Sequence, residues 1–354
     1  MSTEPEQTVM SDTSDFFADA DTETSIPAPN APISPIPVVP QLSVALGLLL
    51  FVFGVTYIGA GTTLSKKPAE ADVRVETALA KQTEKSRTLS SVFNDTEIRA
   101  KSAIVWDVEK QRILFNKNAD DKLPLASITK LMTALVAYEI LDPSKKIVVP
   151  ESAIKTDGNS GLSEGEQFTV QDLTDLTLIV SSNDGAATLG TVTGEAIGSG
   201  SDAEAVFVRA MNVKAEELGL SQTSFANSTG LDVSATEAGA YGSARDIALL
   251  TEYMLANVPD ALALTNQNSA TIQSESGTNH VAKNTNEVAK TIQGLIASKT
   301  GYTRLAGGNL AIAFNAGLNR PIIVVVLGSS QEGRFSDTLD LIKRTRTYIE
   351  NEAE

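Results

Sequence analysis

The apolar pattern changes period along the chain. Residues 102–107 and 112–116 are β-type runs separated by Val108-Glu109-Lys110-Gln111, which predicts an antiparallel hairpin. From 127 to 140 the spacing turns helical, with Leu131, Leu135 and Val136 recurring, Ala134 and Ala137 between them, and Pro143 beyond the end. Four more helical stretches, 170–180, 186–197, 203–218 and 243–256, fill most of the middle, with Gly-rich and Asn-rich loops between. β-type runs return at 296–303, 309–315 and 321–327, and a last amphipathic helix is predicted near 336–349. Strands at both ends with helices between predict an α+β fold. One antiparallel sheet is assembled from distant segments and flanked by helices, with a helical subdomain inserted. No internal repeat is found.

Before this folded unit, expected to span 98–354, the pattern is different. Residues 1–40 are acidic and then Pro-rich, with little to bury, and read as a disordered tail. Within 41–61 the run LSVALGLLLFVFGVTYIGAG carries no charge and has the length of one membrane-crossing helix. No Lys or Arg precedes it, which argues for a retained single-span anchor over a cleaved signal peptide. Residues 62–97 read as a polar stalk. Lys66, Lys67 and Arg74 follow the span while only acids precede it, so the positive-inside rule places the C-terminal bulk in the cytoplasm. The chemistry below needs it outside, and the expectation follows the chemistry.

Composition narrows the function classes. A net charge of −16 argues against nucleic acid as a partner, and 42% hydrophobic residues suffice for a sizeable core. With no cysteine there is no disulfide framework, thiol nucleophile or lipid-modified cysteine, which fits an exported protein. A single histidine, His280, expected in a loop, leaves no Ser-His-Asp arrangement and no His-based zinc cluster. No metal or other cofactor is expected.

Three short motifs supply chemistry without histidine. Ser127-Ile128-Thr129-Lys130 opens the predicted helix, and the i, i+3 spacing puts hydroxyl and amine on one face. The amine can take the serine proton if it is neutral, a state favoured by burial and by a second cation, for which Lys299 is the candidate. The same spacing occurs in Ser152-Ala153-Ile154-Lys155, but Thr156-Asp157-Gly158-Asn159 follows it as a solvated turn. Ser181-Ser182-Asn183 ends an apolar helical run. It reads either as a cap or as a proton relay at Ser181 beside a substrate-binding amide at Asn183. Lys299-Thr300-Gly301 lies in a β-type run, where the missing side chain at Gly301 would let a substrate peptide add to the strand edge. Thr300 and a downstream arginine could then hold a C-terminal carboxylate.

Together these residues resemble the D-alanyl-D-alanine carboxypeptidases, the penicillin-binding DD-peptidases of low molecular mass. The resemblance covers about 98–340 and includes Pro124 to Thr133, Ser182-Asn183-Asp184, Phe225 to Leu231, Ser243-Ala244-Arg245-Asp246, and Lys299 to Thr303. It implies a β-lactamase/DD-peptidase-like fold, with Ser127 as acylated nucleophile, Lys130 as general base, and Ser181 and Asn183 on the opposite wall. Lys299, Thr300 and Gly301 would lie on the sheet edge, the N–H groups of Ser127 and Tyr302 would form an oxyanion hole, and Arg334 would bind the carboxylate. The implied substrate is a peptidoglycan stem peptide ending in D-Ala-D-Ala, with β-lactams as covalent inhibitors. Members often carry a C-terminal β-sandwich and anchor; here attachment to the bacterial cell membrane is expected through the N-terminal span. Ser182 replaces a common Gly, with its side chain expected to face away. A DD-endopeptidase, a β-lactamase and an inactive cell-wall binding protein are the alternatives. A β-lactamase would need a positioned deacylation base, and this sequence shows no Glu-x-x-Leu-Asn-type segment to supply it.

Overall fold

The hairpin and the three C-terminal runs meet in one antiparallel sheet. Its strands are β1 (Ser102–Asp107), β2 (Arg112–Lys117), β3 (Leu295–Thr303), β4 (Gly307–Asn315) and β5 (Pro321–Ser329), in the order β3-β4-β5-β1-β2. These come from a computed structural model that describes residues 91–353 except Asn159 and 199–201, all within the unit Ala69–Glu354. β5 is continuously apolar because it is covered on both faces. Ile323, Val325 and Leu327 pack into one core with α1 (Lys130–Ile140) and, later in the chain, Ala244–Asn257. Ile322, Val324 and Val326 pack into a second core with Phe335, Leu341, Ile342 and Ile349 of the last helix, Gly333–Ala353. The sheet is thus a middle layer between helices, and β3 is one of its two outer strands.

The inserted helical part has a core of its own, around Phe168, Leu173, Leu176, Ile179 and Leu189. It contains α2 (Val170–Ile179) and α3 (Asn183–Ile197), followed by α4 (Ala203–Glu217). Side-chain caps set the starts. Thr169, Ser182, Asp202 and Ser243 each accept a backbone N–H three residues on. Ser182 therefore begins α3 at Asn183, three residues before the predicted start. Its buried side chain is turned into the helix end rather than the cleft.

Short strands that the periodicity did not predict also appear. Lys146–Val148 pairs with Gln167–Thr169, Ser269–Gln273 pairs with Asn279–Lys283, and Ala240–Gly242 lies between Leu123–Pro124 and Ser224–Phe225. His280 belongs to one of these strands rather than to a loop, and its Nε2 lies 2.7 Å from Glu166 Oε1.

Packing also reaches back into the stretch assigned to the stalk. Phe93 stacks on Phe115 and Tyr348, and Arg344 donates to the carbonyls of Val92 and Asp95, so 92–97 belong to the folded body. The predicted tail, the membrane span and residues 62–90 of the stalk lie outside the described residues. Among the described residues no single helix is long and apolar enough to cross a membrane.

Candidate active site

Ser127 sits on a single turn of 3-10 helix, Ala126–Thr129, and the α-helix proper begins at Lys130. The predicted helix start at Ser127 is therefore corrected. The turn is wound tighter because Ala126 adopts a left-handed φ of 49° and its carbonyl accepts from Thr129 Oγ1 at 2.7 Å. Two neighbours fix the turn in place. Asn309 Nδ2 donates to the carbonyls of Pro124 and Leu125, each at 3.0 Å. Gly301 on β3 lies so close that a Cβ there would stand 2.8 Å from Leu125 O and 3.2 Å from the nitrogens of Ser127 and Ile128. The missing side chain at Gly301 thus makes room for the chain's own serine turn. It brings the Ser127 amide against the sheet edge.

Lys130 is wholly buried, and its amine touches three oxygens. Ser127 Oγ is 2.9 Å away, Asn183 Oδ1 2.7 Å and the Thr229 carbonyl 2.7 Å. Two of these only accept. The Asn183 amide is oriented by its Nδ2, which donates to Asp157 O at 2.9 Å, and a peptide carbonyl has no proton to give. A neutral amine spends its two N–H bonds on those two oxygens, which leaves its lone pair aimed at the Ser127 hydroxyl. Burial lowers the Lys130 pKa from 10.5 to about 7, with the Asp184 carboxylate opposing the shift. Near neutral pH the amine is thus both available and pointed.

Ser181 and Lys299 form a second bonded pair. Ser181 holds a left-handed φ of 63° in the short bend between α2 and α3, a backbone state that non-glycine residues adopt at a cost. Its Oγ accepts from Lys299 Nζ at 2.9 Å, and the same amine donates to Thr300 O at 2.8 Å. Burial pushes the Lys299 amine well below its ordinary value, and the charges of Lys130 and Arg334 add to that. Lys299 was expected to act as the standing cation that depresses Lys130. It is itself held toward the neutral form, and desolvation is the leading cause at Lys130.

The far end of β3 carries the remaining expected residues. Thr300 Oγ1 is 2.6 Å from Thr285 Oγ1. Arg334 is buried beside the strand, donates from Nη1 to Gly301 O at 2.9 Å and lies over the Phe335 ring. Its Nε has no partner among the described residues. The Tyr302 side chain is exposed. The second Ser-x-x-Lys is unlike the first: Lys155 is solvent-exposed and pairs with Glu151 at 2.9 Å.

Sequence reasoning missed the residues that set these distances. The Thr229 carbonyl is presented by a turn in which Asn227 Oδ1 accepts from the N–H groups of Thr229 and Gly230. Behind it, Glu204 Oε1 accepts from Ser228 N at 2.8 Å, and Thr133 Oγ1 donates to Ser228 O at 2.6 Å. Burial raises the Glu204 carboxyl pKa above the ordinary range. A turn-forming Asn-Ser-Thr-Gly run was the available signal for this element.

Known proteins resemble this chain in sequence and in fold. The sequence profile of the D-alanyl-D-alanine carboxypeptidases matches residues 87–331. D-alanyl-D-alanine carboxypeptidase DacF of Bacillus subtilis is 35% identical over 249 residues, 69% of this chain and 61% of DacF, so the chain spans under two thirds of that relative. D-alanyl-D-alanine endopeptidase of Escherichia coli is 28% identical over 268 residues, 74% of this chain and 80% of that one. Among solved structures, penicillin-binding protein D2 of Listeria monocytogenes in its cefotaxime-bound form superposes with a TM-score of 0.59 at 30% identity. That match covers 70% of this chain and 97% of that one.

Proposed function

The chain belongs to the D-alanyl-D-alanine carboxypeptidase family, and from that premise we propose that it is a serine peptidase removing the terminal D-alanine of peptidoglycan stem peptides. Penicillins would acylate the same hydroxyl. The observation that carries this reading is the Lys130 amine, whose two acceptor-only neighbours leave its lone pair for Ser127.

In the proposed reaction Ser127 Oγ attacks the carbonyl carbon of the penultimate D-alanine while its proton passes to Lys130 Nζ. The negative charge that develops on the carbonyl oxygen is held by the N–H groups of Ser127 and Tyr302. Collapse breaks the C–N bond, and the departing D-alanine nitrogen takes the proton from Lys130 by way of the Ser181 hydroxyl. An ester on Ser127 remains. Water then adds to the ester carbonyl carbon and gives a proton to Lys130; collapse breaks the C–Oγ bond, and Lys130 returns the proton to Ser127 Oγ. Asn183 orients the substrate amide, Lys299 fixes Ser181, and Thr300 with Arg334 receives the substrate carboxylate at the end of β3.

Labelling with a fluorescent penicillin tests the nucleophile. Wild type is expected to be labelled and Ser127→Ala not, and an unlabelled wild type would overturn the assignment. Release of D-alanine from a D-Ala-D-Ala peptide tests the hydrolysis. A second reading, cleavage of D-Ala-containing crosslinks, has its support in the Escherichia coli endopeptidase; a crosslinked muropeptide offered against a pentapeptide separates the two.

We further place the folded body outside the cytoplasmic membrane, tethered by the apolar run within 41–61. The support is the site of the substrate, while the charges of Lys66, Lys67 and Arg74 favour the reverse orientation. Protease accessibility of residues 98–354 in intact cells decides between them.

A further inference from the structure

Asp184 is a wholly buried carboxylate to which the reaction above gives no part. Among the described residues no basic side chain bonds it, and three donors do instead. Ser160 N donates to its Oδ2 at 2.9 Å. Its Oδ1 accepts from Gly185 N at 3.1 Å and from the Ser182 hydroxyl. The direction of that last bond is fixed, because Ser182 Oγ itself accepts from Gly185 N at 2.8 Å and a carboxylate only accepts. Ser182 is wholly buried as well, and a glycine at this position would bring no such donor.

These bonds form one brace across the start of α3. Ser182 holds the Asp184 side chain, and Asp184 holds the segment that carries Asp157 and Ser160 through Ser160 N. That segment presents the Asp157 carbonyl to Asn183 Nδ2 at 2.9 Å. It also closes directly over the amide: Gly158 has a left-handed φ of 79°, and a Cβ there would stand 2.7 Å from Asn183 Nδ2. Which end of the amide faces Lys130 decides whether the amine can act. With Asn183 Oδ1 at 2.7 Å, an N–H bond of Lys130 is taken up and the lone pair is left for Ser127. Turned over, the amide would offer an N–H to that lone pair in competition with the Ser127 hydroxyl, and its oxygen would oppose the Asp157 carbonyl.

We propose that Ser182 and Asp184 are positioning residues that lock the Asn183 amide with its oxygen toward Lys130, acting through Ser160 N and the Asp157 carbonyl. The inference rests on the reading of Ser127 as nucleophile and Lys130 as base.

The test measures fluorescent-penicillin acylation of the full chain at pH 8.5, where the Lys130 amine is largely neutral, as the limiting first-order rate at saturating penicillin. The labelled amplitude counts folded molecules, so the rate is read per folded molecule and partial unfolding does not enter it. Ser182→Ala is expected to slow that rate about tenfold. Ser182→Thr keeps the hydroxyl and should stay within about twofold of wild type. Asp184→Ala should be slowed at least as much as Ser182→Ala, and the double variant no further than Asp184→Ala, because both changes cut one chain of contacts. A second readout needs no chemistry at Ser127: hydrogen exchange of the Asn183 side-chain amide, followed by NMR, should be about fivefold faster in Ser182→Ala than in wild type. A Ser182→Ala acylation rate within twofold of wild type, a Ser182→Thr rate as low as that of Ser182→Ala, losses that multiply in the double variant, or equal exchange rates would each overturn the lock. A wild type that takes no label would instead fail the assignment of Ser127, and the exchange rates would then decide the lock by themselves.

Discussion

If buried Lys130 is the base, the pH dependence of Ser127 acylation follows from its ionisation. An amine titrating at about 7 is neutral in about a tenth of molecules at pH 6 and about nine tenths at pH 8. The second-order rate of penicillin acylation should therefore rise about tenfold between those values and then level off. An exposed lysine at 10.5 would be neutral in only about 0.03% of molecules at pH 7, and its rate would climb about tenfold per pH unit through pH 9 without levelling. The midpoint also has a direction of response. The Asp184 carboxylate holds Lys130 up, so Asp184→Asn should move the midpoint to lower pH. Stability provides a check independent of catalysis. Between about 7 and 10.5 the unfolded lysine holds a proton that the folded one has lost, so this group makes folding more favourable as pH rises through that window. Lys130→Met should remove that contribution and slow acylation by about 10²–10⁴-fold while the protein still folds. A wild-type profile that rises steadily past pH 9, or is flat from 5.5 to 8.5, would refute the assignment, as would an upward shift in Asp184→Asn.

Three other substitutions probe the supports of the site. Glu204→Ala strips the acceptor from Ser228 N and loosens the Thr229 carbonyl, at about 1–3 kcal/mol in thermal or urea unfolding and with slower penicillin labelling. Glu204→Gln keeps an acceptor oxygen and should restore most of both; labelling of Glu204→Ala at the wild-type rate would show that the carbonyl is held without it. Gly301→Ala puts a methyl 2.8 Å from Leu125 O, which should push β3 off the serine turn and cut acylation at least about tenfold, at about 1–3 kcal/mol of stability. Circular dichroism should stay near native in that variant, and unchanged labelling would contradict the close approach. Asn309→Ala leaves the carbonyls of Pro124 and Leu125 without this donor and Gly328 N without its acceptor, for a loss of about 1–3 kcal/mol measured by denaturant unfolding.

Which of these features the sequence disclosed depends on where their information resides. Ser127, Lys130, Ser181, Asn183 and Lys299 were legible because each combines a reactive side chain with a fixed local spacing. The main strands and helices were legible from period, and β5 is unbroken apolar sequence because it is buried on both faces. The 3-10 turn at Ser127 was not legible, since a left-handed alanine has no compositional mark. Nor was the ribbon of Ser269–Gln273 with Asn279–Lys283, whose buried face offers only Ala270, Ile272 and Ala282 among polar neighbours. The turn at Asn227 left a mark in the sequence, but the role of the Thr229 carbonyl did not. A backbone acceptor looks the same at every residue, and its partner Lys130 lies 99 positions away.

That last point explains why spacing alone does not make a nucleophile. Ser152 and Lys155 reproduce the i, i+3 arrangement of Ser127 and Lys130, yet Lys155 is exposed and its amine meets a carboxylate, Glu151, which favours the ammonium. At Lys130 the neighbours differ in kind. Two neutral oxygens that cannot donate absorb the N–H bonds, burial removes the water that would stabilise the charge, and one direction remains for the lone pair. Each of those oxygens is held in turn by groups with no reactive chemistry: Asp157 O on the Asn183 amide, and Asn227 and Glu204 behind Thr229. The reactivity of Ser127 is therefore a property of the packing between α1, α3 and the turn at Asn227, and the four-residue motif only supplies the two atoms between which the proton moves.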